Sequence, residues 1–266
     1  MAIQPVQPQS IGGVLDTTFQ LFRVSIGRVW PLCLLSGVGS ILPSIYMLMK
    51  GGANPNDPFA AFGMFSSPGY WLTYLVSVSL SLWALGSLYL KIRAIGLDEE
   101  MSLGEALQAS ASRVPLLFLM SILFGIAVMI GMILLIVPGL ILAISLILSF
   151  NLLLFEGLGP VAALTGSHKL VWGNWWRTFA VLSVGFVIIF VIYLALGLLL
   201  GIVIPFMGVA SDPIMFGLVS GIVIGTLASV VMTPFYVSMA IALYWDLKLR
   251  REGGDLAARV GALGTV

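Results

Sequence analysis

The side chains able to do chemistry are few in this sequence, and they are scattered. There is one histidine, His168, and one cysteine, Cys33, which sits in an apolar run. A lone thiol rules out an internal disulfide and any multi-thiolate metal site. Hydrolytic zinc sets and nucleophile–His–carboxylate triads need more imidazole and carboxylate than any one stretch supplies. No glycine-rich phosphate loop ends in Lys-Ser or Lys-Thr, and no dinucleotide fingerprint follows a strand. Ser36 and Ser220 each precede a glycine within apolar runs, the setting of an intramembrane nucleophile, but neither has a base at its depth. The expectation is a protein that is not an enzyme, with no catalytic residue, cofactor or metal.

Three other groups of residues stand out. His168 and Lys169, with Arg177 further on, are suited to meet phosphate headgroups, although basic side chains at a membrane surface commonly snorkel without a specific ligand. Glu156, Asp246 and Arg250 stand near the ends of apolar runs, where a local ion pair or a helix-end contact is expected. Gly217, Gly221, Gly225 and Ser229 recur four apart, as do Gly197 and Gly201. Small residues at that spacing let helices approach closely. Packing inside one bundle is preferred here over a homo-oligomer interface.

The elements that carry these residues follow from composition. Of 266 residues, 60% are apolar and only 9% charged, far from the balance that keeps a soluble surface wet. Spans of about 20 apolar residues are expected at Val29–Met49, Tyr70–Leu90, Leu116–Val137, Leu140–Phe155, Phe179–Ile202 and Ile214–Phe235. Pro138-Gly139 is expected to form the tight hairpin between the third and fourth; the sixth, apolar as far as Tyr244, is expected either to kink at Pro234 or to project its end into the cytoplasm. Of the 12 Lys and Arg, all but Lys50 then fall on one side, which puts both termini in the cytoplasm. The outer connections, Gly51–Gly69 and Pro205–Pro213, are poor in charge, and the polar N-terminus carries no removable signal.

Each pair of spans is preceded by an amphipathic stretch. In the first, Ile11, Val14, Leu15, Phe19, Phe22 and Ile26 share a face. The second opens at Ser102 with Glu105 three residues on, a capping box. The third opens at Pro160 and aligns Val161, Leu164, His168 and Val171, before Trp175 and Trp176 mark the interface. The expected fold is all-α: a polytopic bundle of six transmembrane helices in three hairpins, each led by a cytoplasmic interfacial helix. Residues 1–252 form the membrane domain and 253–266 a short, flexible cytoplasmic tail.

Fragments along nearly the whole chain resemble the membrane domain fused to some bacterial glycerophosphodiester phosphodiesterases, and related stand-alone membrane proteins. They are Gly12-x-x-Leu15 with Phe19, Pro138-Gly139, and Glu156-x-x-Gly159-Pro160. These lead into Ala163-Leu164-x-x-Ser167-x-x-Leu170-Val171-x-Gly173, and Tyr244-x-Asp246-Leu247-x-x-Arg250 closes the series. The phosphodiesterase domain itself is absent from the sequence. The resemblance implies this architecture and a bacterial inner-membrane location, and transfers no activity. The function expected is organisation of lipids or membrane proteins, with membrane lipids, other membrane proteins or a second copy as partners and no nucleic acid. The alternative is a channel or permease for a small apolar or amphipathic solute; with no Asp, Glu, Lys, Arg or His at mid-span, proton or sodium coupling is disfavoured.

Overall fold

A computed structural model describes residues 2–50, 63, 65–204 and 213–263, all helix and connecting turn with no strand among them. Helix α1 runs over Ile11–Met49, α2 over Pro68–Leu97, α3 over Leu103–Ala111 and α4 over Val114–Leu134. Then follow α5 (Ile136–Ser145), α6 (Ser149–Glu156), α7 (Pro160–Trp172), α8 (Trp175–Ile204) and α9 (Pro213–Leu263). Six stretches of these helices, with α5 and α6 counted as one, are long and apolar enough to cross a membrane, so the chain is a multi-pass helical membrane protein. The connections at 51–62 and 205–212, expected on the outer side, lie outside the described residues.

Helix length is the first departure from expectation. At 1.5 Å per residue, the 39 residues of α1 make a rod of about 58 Å and the 51 of α9 one of about 76 Å, against a hydrocarbon core of about 30 Å. The surplus of α1 is its amphipathic start, which is no separate interfacial helix. Val14, Thr18, Leu21, Ser25, Val29 and Leu32 are all buried, in an unbroken 3–4 spacing that runs through the expected boundary near Arg28. One continuous stripe leaves no reason for a bend. Pro31, Pro43 and Pro234 likewise lie within uninterrupted helices, and α9 continues to Leu263 through the stretch expected as a flexible tail.

Polar backbone chemistry sets the shorter boundaries. Asp98 closes α2 in the left-handed region (φ 62°), where the short acidic side chain is tolerated. The capping box forms at α3: the Glu105 backbone N–H donates to Ser102 Oγ at 3.1 Å, and the Ser102 N–H to the Glu105 carboxylate at 2.6 Å. Hydrogen bonding to the carboxylate by the Ser102 backbone N–H, and next by the Ser102 hydroxyl, holds the Glu105 carboxyl below its ordinary value. Gly157 (φ 69°) ends α6, and Pro160 opens α7.

The central hairpin turns at Leu135, which is extended, and not at Pro138-Gly139. Pro138 instead occupies the first turn of α5, where its missing N–H costs nothing. Gly139 is needed for a close approach: a Cβ at Gly131 would stand 2.8 Å from the Gly139 Cα. The fourth span is broken between α5 and α6, and α7 mends the break. Ser167, fully buried, accepts from the Leu148 backbone N–H at 3.1 Å and donates to the Ser145 carbonyl at 2.8 Å. A buried backbone group left unpaired is costly, so this hydroxyl determines how α7 docks. The buried face of α7 is accordingly Ala163, Ser167, Leu170 and Val171. Val161 is exposed, and Leu164 and His168 are only half-buried, so the face lies rotated from the expected line.

Candidate functional site: the charged end of the bundle

The inner ends of α1, α2, α6, α7, α8 and α9 converge on one core. In α9, Val237, Ile241, Ala242, Leu243 and Leu247 have no exposed surface, and Tyr89, Leu88 and Ile92 of α2 are equally enclosed. Gly96 provides the room: a Cβ there would stand 2.5 Å from the Trp245 ring and 2.8 Å from Leu21. Asn151 links α6 to α9 by donating to the Ala240 carbonyl at 3.3 Å.

Asp246 sits in this core, fully buried, and is balanced from three directions. Its carboxylate accepts from Arg177 Nε at 2.9 Å, from Arg250 Nε at 3.1 Å and from the Gln9 backbone N–H at 2.7 Å. Both guanidinium groups also donate to the Gln9 carbonyl, while the Gln9 side chain accepts from Thr17 at 3.0 Å. The N-terminal strap, α1, α8 and α9 therefore meet at one closed ionic cluster. Each charge in it has a partner, which a carboxylate taken out of water requires.

A second cluster lies beside it. Tyr244 donates its hydroxyl to Glu156 Oε1 at 2.7 Å, and Lys248 donates to the same oxygen at 2.8 Å. The Tyr244 ring packs edge-on against Phe155, over which the Arg93 guanidinium lies at 4.9 Å. Arg113 donates to the Leu153 carbonyl at 2.8 Å, tying the start of α4 to α6. These arrangements hold helices together. No group of three His, Cys, Asp or Glu that could hold a metal occurs among the described residues.

Of the three basic residues singled out in the sequence, Arg177 is engaged by Asp246 and Gln9, whereas His168 and Lys169 face outward on the last turns of α7. They line an open cavity of about 510 Å³ with Trp172, Asn174, Arg250 and Arg251. The His168 ring rests 4.9 Å from that of Trp172. On the other side of Trp172–Asn174 lies an apolar cavity of about 630 Å³, walled by Val137, Leu140 and Ile141 of α5 and by Trp175 and Trp176. Trp175 braces it with its indole N–H toward the Ile141 carbonyl at 3.4 Å, so α5 leans over the α7–α8 junction.

Sequence reading missed Gln9, Ser167 and Arg251. Gln9 acts largely through its backbone, which no side-chain pattern reveals. Ser167 was visible only as one letter of a resemblance. Arg251 gains its place from the register of a helix far longer than one span.

Of the glycine stripe, Gly217, Gly221 and Gly225 are exposed among the described residues, and a Cβ built at Gly221 or Gly225 would meet no described atom within 4 Å; the Ser229 side chain lies outside the described residues.

Compared with family models, curated proteins and solved structures, the chain matches none, and its site is defined by its own geometry alone.

Proposed function

We propose that this is a non-enzymatic protein of the bacterial inner membrane, with both termini in the cytoplasm, that organises lipids or neighbouring membrane proteins at the cytoplasmic leaflet. The observation that carries the reading is the segregation of charge. Asp, Glu, Lys, Arg and His are missing from the middle of each apolar run that the sequence marks as a span, while the charged end holds a buried ionic cluster at Asp246, a part-exposed one at Glu156 and a further set of basic side chains turned outward. A coupled carrier would keep ionisable groups at mid-membrane. A surface that meets anionic headgroups keeps its cations where these are. The resemblance to the membrane domain of glycerophosphodiester phosphodiesterases supports the inner-membrane assignment.

One observation favours the second reading, a permease for an apolar solute. Between α2 and α4 lies a cavity of about 500 Å³ lined by Trp71, Tyr74, Leu75 and Phe118, open along the bundle flank. A flux assay in proteoliposomes separates the two. The organising role predicts vesicles no leakier than protein-free ones to a panel of small amphipathic solutes. Saturable, protein-dependent flux of any of them sinks it.

A further inference from the structure

The two cavities at the α7–α8 junction share one wall, and their linings differ in kind. Trp172, Gly173 and Asn174 border both. On one side are His168, Lys169 and Arg251; on the other, the aliphatic face of α5 and the indoles of Trp175 and Trp176. Arg250 and Arg177 also border the cavities, but each spends its guanidinium on Asp246 and Gln9. No hydrogen bond or ion pair to a protein acceptor is found for His168, Lys169 or Arg251 among the described residues, and no carboxylate lines the basic cavity.

We infer that this pair of cavities is a binding site for one anionic phospholipid. Its phosphate would be received by His168, Lys169 and Arg251, and one acyl chain would lie between α5 and the Trp172–Trp176 segment. The inference rests on the lipid-organising reading and assigns it a site and a ligand class. Charge complementarity selects an anion, because no carboxylate lines the basic cavity itself; of its basic residues Arg251 alone is shared, bordering a second cavity with Glu156 and Glu252. The adjoining apolar cavity selects a lipid over a free phosphate: a soluble anion would leave about 630 Å³ of tryptophan- and leucine-lined space unused. Position agrees, since indoles favour the headgroup boundary, where a phosphate and its first methylenes lie. Lys169 stands in the last turn of α7, whose carbonyl ends attract a cation and help to hold it there.

The test uses the full chain in phosphatidylcholine vesicles containing phosphatidylglycerol. Tryptophan quenching is read with brominated acyl chains on one lipid or the other. The wild type should show a clear excess of quenching by brominated phosphatidylglycerol. In the variant His168→Gln/Lys169→Gln/Arg251→Gln that preference should fall about 25-fold, a factor of about five for each Lys or Arg lost. The variant Leu140→Trp, which fills the apolar cavity and leaves every charge in place, should also weaken it. Millimolar inorganic phosphate should not reverse the preference. An unchanged preference in both variants overturns the site, while wild-type selectivity would still support the lipid reading. Release by inorganic phosphate at equal potency overturns it too, in favour of a soluble anion. A wild type without any preference for the anionic lipid counts against the site and the broader reading together.

Discussion

The two ends of this bundle are built by different rules. At the charged end, α9 from Met232 to Leu247 is almost wholly enclosed, and Asp246 and Tyr244 are consumed in named contacts, while the buried Ser238 hydroxyl finds no partner among the described residues. Away from that core, Phe186, Leu198 and Ile202 of α8 and Ile133 and Ile136 at the central turn are more than half exposed, with only aliphatic or aromatic surface to offer. Lipid solvates the second kind of surface as well as another helix would, so nothing drives it to close. The charged end carries helix beyond one bilayer thickness and meets water, where burial of apolar surface is favourable. Tight packing is therefore found where water is, and the specific interactions of the protein are found with it.

Five substitutions can break or sharpen that contrast. The largest effect is expected at Asp246. Asp246→Asn leaves Arg177 and Arg250 partly buried without their counter-charge and should lower unfolding stability by about 3–5 kcal/mol, measured by thermal unfolding in detergent. A loss under 1 kcal/mol would show that the cluster is not what holds the strap, α8 and α9 together. Ser167→Ala removes only the hydroxyl, and with it both hydrogen bonds across the α5–α6 break. It should cost about 1–3 kcal/mol through the orphaned Leu148 N–H.

A matched pair of glycines then compares the ends directly. Gly96→Ala drives a methyl into Trp245 and Leu21 and should cost about 1–3 kcal/mol, whereas Gly221→Ala meets open space and should change stability by no more than about 0.5 kcal/mol. Equal effects would erase the distinction between the ends. At the α3 cap, Ser102→Ala should cost about 1 kcal/mol. The pH dependence there has a definite sign. The Glu105 carboxyl is held below 4.5, so its contribution is full above that pH and is lost as pH falls through the lowered value. Nuclear magnetic resonance titration of Glu105 in Ser102→Ala should find its midpoint moved back up toward 4.5.

Much of the fold was legible because lipid imposes length and composition on a span. The apolar runs lie where helices lie, and the Ser102–Glu105 cap was readable from spacing alone. What escaped was everything decided by a neighbour. The buried stripe of α1 needs α2 and α9 to show that it crosses the expected boundary, and the face of α7 is turned by one hydroxyl that mends a distant break. Pro138-Gly139 looked like a turn because those residues favour turns. The glycine instead serves a close helix approach, and the turn falls to Leu135. At the site, His168 and Lys169 were visible as basic residues in an amphipathic stretch. Asp246 and Arg250 were visible as a pair, but the Gln9 carbonyl that unites Arg177 and Arg250 was not, since any residue type could supply it.

The account turns on one claim, that the charged end engages membrane lipid. Native mass spectrometry of the full chain, released gently from its own membrane, tests it most directly. The claim predicts a retained anionic phospholipid at one per chain, lost in His168→Gln/Lys169→Gln/Arg251→Gln and kept in Gly221→Ala. A bare wild-type chain, with solute flux in proteoliposomes, would contradict it and leave the permease reading in its place.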